Sequence, residues 1–344
     1  MLNIVIGLIC FMFTLYNKLP DGFFDIAPED LHTILPGPSM IELEGEKNPP
    51  LFISTLLHGN ETSGFYGLQT LLKKYEASNI KLPRSLIIFI GNVFAAKESK
   101  RTLDSQLDFN RIWDGGQLPE YKMADEVKQF AIKKNVIAAI DIHNNTGENP
   151  YYACVNTLQD SFLNLAKLFS RKIVYFTNPH EVLTMAFKEF TTAVTLECGQ
   201  SGNQLGLQRL VDFLDMVLRL ESIPNTKVTD DDVAVFHSVT RITVPDDASI
   251  AFTQNDHADF TFVPNFEHLN FQELPEHSLL GWRKYHSQKL IVTDEQEQDV
   301  SDQFITYADK EIRTKRPVMP SMFCTTEKII RQDCLGYFMQ RYSL

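Results

Sequence analysis

The sequence lacks the cysteine pattern of a disulfide-stabilised or thiolate-metal protein. Only five cysteines occur in 344 residues, their number is odd, and no two of them form a C-x-x-C pair. Neither a disulfide framework nor a cysteine-based zinc site is therefore expected. Scattered thiols of this kind are typical of reduced, mostly buried cysteines, and they favour a cytoplasmic location.

Blocks of positive charge are also missing. The chain has 32 Lys and Arg against 44 Asp and Glu, a formal net charge of -12. A nucleic-acid backbone would repel such a surface, which excludes DNA and RNA as expected partners. No internal repeat or low-complexity tract occurs, and the 44% hydrophobic content is ordinary for a globular protein. The length allows one large domain or two unequal ones.

No apolar run is long enough to span a bilayer. The longest candidate, Ile4 to Tyr16, has 13 residues, whereas a membrane helix needs about 20. It resembles a signal-peptide core, but no Lys or Arg precedes it and no small-x-small cleavage site follows it. Three interpretations stay open: a segment that docks on the body, an upstream extension from a mis-assigned start codon, or a weak export signal. A membrane partner is not expected.

Apolar strands alternate with amphipathic helices over the first two thirds of the chain. Continuous apolar runs at Leu51 to Leu57, Ser85 to Val93 and Val136 to Ile142 predict strands buried on both faces. Helical spacing follows at Glu61 to Tyr75 and Glu120 to Lys134. This alternation predicts an α/β fold with a doubly wound, mostly parallel sheet covered on both faces.

The pattern changes after Pro224. Short β-like runs broken by Pro and Asp, such as Phe260 to Val263 and Lys289 to Thr293, replace the helices. We therefore predict an N-terminal apolar segment and loop over residues 1–38, an α/β domain over 39–224 and a smaller β-rich C-terminal domain over 225–344.

Polar side chains with metal-binding chemistry stand at the ends of three predicted strands. His58 and Glu61 follow the first, His143 ends the second, and Glu197 ends a third. Ligands of open α/β sheets bind at this edge. Two neutral imidazoles and one carboxylate, with an open fourth position, form a catalytic zinc site. Cobalt or manganese would suit similar ligands.

Each of these residues also has a simpler interpretation. Glu61 in a first helical turn would stabilise a helix N-terminus without any metal. His143 alone would be an ordinary polar residue at a strand end, and Glu197 would cap the following helix. The neighbouring Cys198 is expected to be a packed thiol because no His or Lys lies beside it to activate it. The metal interpretation depends on the joint occurrence.

Four segments in order carry a resemblance to a known family. They are His58-Gly59-Asn60-Glu61, Asp108-Phe109-Asn110-Arg111, Asp141-Ile142-His143-Asn144 and the Glu197 segment. The set resembles the succinylglutamate desuccinylase/aspartoacylase family, within the wider zinc carboxypeptidase-like superfamily, over about residues 39 to 220. The resemblance implies a doubly wound mixed sheet with a β-rich C-terminal domain.

The resemblance also implies a role for each site residue. His58, Glu61 and His143 would bind one zinc ion, and Glu197 would be the general base that activates water. Arg101 would stabilise the oxyanion, although Lys100 is an adjacent alternative.

Asn110 and Arg111 would hold a substrate carboxylate, for which a planar guanidinium is suited. A surface ion pair is the other interpretation of either arginine.

The activity implied is that of a zinc-dependent hydrolase that cleaves an amide bond of an N-acyl amino acid or a similar small carboxylate. Two alternatives remain: a carboxypeptidase-like metallopeptidase acting on short peptides or cell-wall fragments, and a non-catalytic binding protein with the same fold. The segment Val182 to Phe190 lacks the Arg and Tyr with which aspartoacylase-type enzymes clamp acidic substrates, and Lys188 is its only cation. N-acetylaspartate is therefore not assigned as substrate. Homo-oligomerisation is left open.

Overall fold

The structure is a computed structural model and describes residues 12–253 and 257–344. Most of the apolar run from Ile4 lies outside the described residues, while its last three residues, Thr14–Tyr16, form the first strand. Among the described residues, no helix has both the length and the apolar character needed to cross a bilayer.

The described helices alternate with strands as far as residue 219 and are short thereafter. They are α1 (Ser63–Ala77), α2 (Val93–Lys97), α3 (Pro119–Lys134), α4 (Asp160–Phe169), α5 (Leu183–Phe187), α6 (Gln204–Arg219), α7 (Ser301–Phe304) and α8 (Glu327–Gln332), with 3-10 helices at Pro28–Thr33 and Phe266–Leu269.

Among the described residues, a large mixed sheet of twelve strands dominates the fold. Its strands are β1 (Thr14–Tyr16), β2 (Ser39–Leu43), β3 (Lys47–Thr55), β4 (Arg84–Ile90), β5 (Ala138–His143), β6 (Tyr152–Val155), β7 (Lys172–Tyr175), β8 (Thr192–Glu197), β9 (Ala234–Thr243), β13 (Ile291–Asp294), β16 (Met319–Ser321) and β17 (Gly336–Tyr342). The order is β1-β2-β4-β3-β5-β8-β6-β7-β9-β17-β16, with β13 also paired to β9.

A second sheet, with five strands in the part of the chain that the structure describes, lies in the C-terminal region. Its strands are β10 (Ile250–Ala251), β11 (Phe260–Phe262), β12 (Leu279–Arg283), β14 (Ile305–Ala308) and β15 (Glu311–Thr314), in the order β10-β11-β12-β15-β14. Its pairs are antiparallel apart from β10 and β11. The predicted fold class is confirmed: an α/β fold with a large, mostly parallel mixed sheet and a small C-terminal β-sheet.

Burial explains why the central strands are continuous apolar runs. Every residue of β4 and of β5 is buried. Parallel strands β3, β4 and β5 pair side by side, and strands covered on both faces need apolar side chains on both. These runs are the signal from which the sheet was predicted.

The chain packs as two compact units. The first contains the described residues of Met1–Asp141, with His180–Ala193 and Leu214–Ser222; the second contains Ile142–Pro179, Val194–Phe213 and the described residues of Ile223–Leu344. The domain boundary near residue 225 stays a prediction.

A buried arginine holds chain segments of the first unit together. Arg84 is 1% exposed, and its guanidinium donates hydrogen bonds to the carbonyl oxygens of Pro49 and Leu220, each over 2.6 Å. Buried carbonyl groups need such donors. In the second unit the core of the C-terminal region is aromatic, with Phe266 and Phe323 stacked at 4.1 Å between ring centroids.

Candidate metal centre

The loop between β3 and α1 carries His58 and Glu61 and is shaped by two backbone features. Leu56 adopts a positive φ of 54°, which ends the strand. Gly59 lies against α2 so closely that a Cβ atom there would come within 2.1 Å of the backbone nitrogen of Ala96. Only glycine allows this approach, so the turn between the two candidate ligands depends on it.

His58 is held between two carboxylates. Its Nδ1 lies 2.7 Å from Oε1 of Glu61, and its Nε2 lies 2.9 Å from Oδ1 of Asp108. Burial lowers the pKa of His58, as does Arg101, but the two carboxylates outweigh both and raise it above its usual value. A ring nitrogen facing a metal and a second one held by a carboxylate is the usual arrangement of a metal-binding histidine.

Asp108 connects the histidine to the predicted oxyanion-binding arginine. Its Oδ2 accepts hydrogen bonds from Nε and Nη2 of Arg101, at 3.2 and 3.0 Å. Nη1 of the same arginine lies 3.7 Å from Oε1 of Glu61. Burial raises the pKa of Asp108, but His58 and Arg101 together hold it well below its usual value, so this carboxylate stays ionised.

The alternative cation, Lys100, is directed elsewhere. Its ammonium group pairs with the Glu98 carboxylate at 2.5 Å. Arg101 is also tied to the ligand loop through its backbone, since its carbonyl oxygen accepts a hydrogen bond from the Gly59 amide at 3.2 Å. Between the two neighbouring cations, Arg101 is therefore the one beside the candidate ligands.

The segment between α2 and α3 is a long loop without helix or strand. Gln106 in this loop and Asn92, just before α2, exchange hydrogen bonds of 2.9 and 3.2 Å through their side-chain amides. The buried Trp113 donates its indole N–H to the carbonyl of Phe109 at 2.8 Å. These contacts fix the loop that carries Arg101, Asp108, and the predicted substrate-binding pair.

The predicted pair Asn110 and Arg111 lies directly after Asp108. The Asn110 amide donates to Oδ1 of Asp108 at 2.7 Å, and its side-chain oxygen accepts a hydrogen bond from the Leu183 amide at 3.3 Å. Arg111 is half-buried and donates from Nη1 to the carbonyl of Asn110 at 2.9 Å. Their role in binding a carboxylate stays a prediction.

His143 and Glu197 end two neighbouring strands, β5 and β8. The amide of Cys198 donates to the carbonyl of His143 at 3.0 Å, and the amide of Asn145 donates to the carbonyl of Gly199 at 3.0 Å. Both side chains are buried, His143 with 4% and Glu197 with 8% exposure. The predicted general base therefore stands on the strand next to a predicted ligand, and Cys198 is a buried thiol as expected.

The three predicted metal ligands come together. One side-chain ligand atom from each of His58, Glu61 and His143 lies within 4.8 Å of the other two, and all three residues are buried. Ligand atoms around one tetrahedral zinc ion are about 3.3 Å apart, given metal–ligand distances of about 2.0–2.1 Å. The donor set of two imidazoles and one carboxylate, with Asp108 behind one ring, fits zinc.

Glu197 has a buried polar neighbour. Nδ2 of Asn145 donates to Oε2 of Glu197 at 2.8 Å and also lies 3.3 Å from the hydroxyl oxygen of Tyr152. That hydroxyl donates to the sulfur of Met322 at 3.1 Å. The carboxylate of the predicted base thus sits in an ordered set of hydrogen bonds.

Two residues of this arrangement have no assigned role in the sequence analysis. Asp108 stands in the quoted Asp108-Phe109-Asn110-Arg111 motif, and the general need of a metal-binding histidine for a second partner would have identified it. Asn145 follows His143 by two residues, but its contact with Glu197 spans 52 positions and leaves no local signal.

Comparison with known proteins assigns the family. Residues 47–223, just over half of the chain, match the family model of the succinylglutamate desuccinylase/aspartoacylase catalytic domain. Succinylglutamate desuccinylases of Yersinia pestis and Yersinia pseudotuberculosis are 28% identical over 110 residues. That alignment covers 32% of this chain and 32% of each relative, so it spans about a third of the length of these curated relatives.

Solved structures show the same fold over most of the chain. The succinylglutamate desuccinylase of Chromobacterium violaceum superposes with a TM-score of 0.58 at 17% identity, covering 90% of either chain. Murine aminoacylase 3 gives a TM-score of 0.53 at 13% identity, covering 87% of this chain and 98% of that one. Because the family model matches residues 47–223, more than half of the sequence, this chain belongs to the succinylglutamate desuccinylase/aspartoacylase family.

Proposed function

We propose that the protein is a zinc-dependent deacylase that hydrolyses the amide bond of an N-acyl amino acid or a similar small carboxylate. The observation that carries the proposal is the convergence of His58, Glu61 and His143 within 4.8 Å. The reaction class is supported by membership of a family of zinc deacylases that act on N-acyl amino acids.

Each catalytic requirement has a candidate residue in this proposal. A zinc ion held by His58, Glu61 and His143 would polarise an acyl carbonyl and lower the pKa of water toward neutrality. Glu197 takes a proton from the attacking water and delivers it to the nitrogen of the leaving amine. Its burial at the end of β8 supports this role because bulk solvent is kept away from the carboxylate that would exchange protons with the attacking water.

Arg101 is proposed to stabilise the oxyanion that forms at the acyl carbon. Its guanidinium is oriented by two hydrogen bonds to Asp108 and lies 3.7 Å from Glu61, beside the candidate ligands. A donor fixed in advance is what oxyanion stabilisation requires. Arg111 and Asn110 are proposed to hold the substrate carboxylate.

The residues near the site say less about which amino acid and which acyl group the substrate contains. The segment around α5 carries Lys188, whose ammonium group lies 3.5 Å from the sulfur of Met185, and it offers no arginine for a second carboxylate. We therefore propose a small carboxylate substrate without assigning an acidic side chain. A cytoplasmic location is also proposed, supported by the buried thiols Cys154, Cys198, Cys324 and Cys334.

Metal analysis with a substrate screen tests the proposal. Purified protein is analysed for zinc and assayed against N-succinyl, N-acetyl and N-formyl amino acids and dipeptides. Glu197→Gln should retain zinc and lose hydrolysis by at least about 10²-fold, as expected on removal of a general base. The matched control is Glu189→Gln, at an exposed glutamate, with unchanged activity.

Three results would contradict the proposal in different ways. If the native protein takes up no zinc, the proposed metal centre would be wrong. If the protein binds zinc but hydrolyses none of the compounds, the alternative of a non-catalytic binding protein with the same fold would be favoured. Hydrolysis confined to dipeptides would favour the peptidase.

A further inference from the structure

The hydrogen bond between Asn145 and Glu197 has a defined polarity. An ionised carboxylate only accepts, so the Asn145 amide must direct its NH2 group, and not its oxygen, toward Oε2 of Glu197. The reverse orientation would place two acceptors 2.8 Å apart. The amide orientation is therefore fixed by the chemistry of the partner.

The surroundings of Asn145 hold the amide in that orientation. Its nitrogen also lies 3.3 Å from the Tyr152 hydroxyl and 3.4 Å from the sulfur of Met322. Tyr152 accepts from Asn145 and donates onward to Met322 at 3.1 Å. The side chain of Asn145 is 3% exposed, so solvent does not compete for these contacts.

Tyr152 is fixed by the sheet itself. It is the direct cross-strand partner of Glu197 in the antiparallel pairing of β6 with β8, and such partners project from the same face. Its ring packs on Phe271 with centroids 4.8 Å apart. Burial raises the pKa of Tyr152 well above its usual value, and the Glu197 carboxylate raises it further, so the hydroxyl keeps the proton that it donates.

We infer that Asn145 is a positioning residue for the general base: its amide, oriented by Tyr152, holds the Glu197 carboxylate in the geometry needed for proton transfer. The inference rests on the proposed role of Glu197. A carboxylate free to rotate at the end of β8 would have to be ordered in each turnover, and misplacement of a reacting group by about 1 Å can cost 10²-fold in rate. Asn145 touches neither water nor substrate in this role.

Shape-preserving substitutions test the inference. Asn145→Leu keeps the branched outline of the side chain, with bulkier methyl groups, and removes the donor, while Asn145→Asp replaces it with a carboxylate facing a carboxylate. Loss of one hydrogen bond to a charged group corresponds to a fall of about 10–100-fold in kcat. KM and zinc content should stay close to wild type for Asn145→Leu, and Asn145→Asp should be the slower enzyme.

The matched control is Asn156→Leu. Asn156 is equally buried at 3% exposure, donates from Nδ2 to the carbonyl of Phe176 at 3.2 Å, and has a side-chain oxygen without a partner, as Asn145 has. The same substitution there should leave kcat unchanged. A comparable loss in both variants would mean that the effect is one of packing.

A double variant separates positioning from a general structural effect. If Asn145 acts only through Glu197, then Asn145→Leu should cause no further loss when it is added to Glu197→Gln. A further loss of tenfold or more would overturn the inference. If Asn145→Leu does not fold, Tyr152→Phe keeps the ring, releases the amide, and should lower kcat by about two- to tenfold.

The possible outcomes distinguish the positioning role of Asn145 from the proposed general-base role of Glu197. Unchanged kcat in Asn145→Leu or in Tyr152→Phe, with an active wild type that depends on Glu197, overturns the positioning role alone. A wild type in which Glu197→Gln retains full activity overturns the proposed base, and the positioning role falls with it.

Discussion

Replacing Asp108 by asparagine should weaken metal binding and disturb Arg101 at once. The carboxylate accepts from the His58 ring and the Asn110 amide through Oδ1, and from the Arg101 guanidinium through Oδ2. An asparagine of the same shape has one oxygen and one NH2 group. Whichever way it turns, a donor faces donors, so either His58 or Arg101 loses its partner.

The size of the expected loss in zinc affinity follows from the position of this carboxylate behind His58. Loss of a carboxylate behind a metal-binding histidine typically lowers metal affinity or activity by about 10–100-fold. At about 1.4 kcal/mol for each factor of ten, that is about 1.4–2.8 kcal/mol of binding free energy. We expect Asp108→Asn to bind zinc about 10–100-fold more weakly than wild type. At saturating zinc, its kcat should fall by at least tenfold.

Competition with a chelating dye measures zinc affinity independently of any substrate. Asp104→Asn is the matched control because Asp104 is exposed in the same loop, and this variant should bind zinc like wild type. The reasoning is refuted if Asp108→Asn binds zinc with unchanged affinity and retains full kcat.

Two further predictions follow from the same unit. Gly59→Ala should lower both zinc affinity and melting temperature, because the new Cβ would meet the backbone of Ala96 at 2.1 Å; Gly37→Ala, where a Cβ would meet one ring atom at 3.6 Å, is the control and should change neither. Burial raises the pKa of Asp215, but hydrogen bonds from Tyr75 and two basic side chains outweigh it and leave the pKa below its usual value. The stabilisation is therefore present above about pH 4 and is lost as the pH falls through the lower folded pKa. Urea midpoints of wild type and Asp215→Asn should differ at pH 7 and converge on acidification, and a constant gap would contradict the assignment.

Local sequence patterns predicted the candidate site because each ligand segment follows a strongly apolar strand. The strand predicted at Leu51 to Leu57 is β3, which begins at Lys47 and ends at Thr55, where the positive φ of Leu56 stops it. The carboxyl ends of neighbouring parallel strands lie at one edge of a sheet, so His58 and His143 could be placed together without a structure.

Other features depend on long-range pairing and have no local signal. The runs Val233 to Val239 and Arg241 to Val244 look like two short strands, but the structure forms one strand, Ala234–Thr243, that pairs with β7, β13 and β17. The helix Val93–Lys97 overlaps the end of an apolar run and was not predicted. It begins because the Asn92 side chain accepts the Ala95 amide at 3.1 Å.

The two outermost strands of the large sheet, β1 and β16, are each three residues long. An exposed strand edge is a template onto which another chain can add, and aggregation begins at long, flat edges. Here β16 contains Pro320, which has no amide hydrogen to offer, and amides of Phe271 and Leu274 already bond to carbonyls of Pro320 and Val318. Among the described residues, the strands at the two ends of the large sheet are thus short, and β16 is partly covered. We therefore expect these ends to resist edge-to-edge association at high concentration.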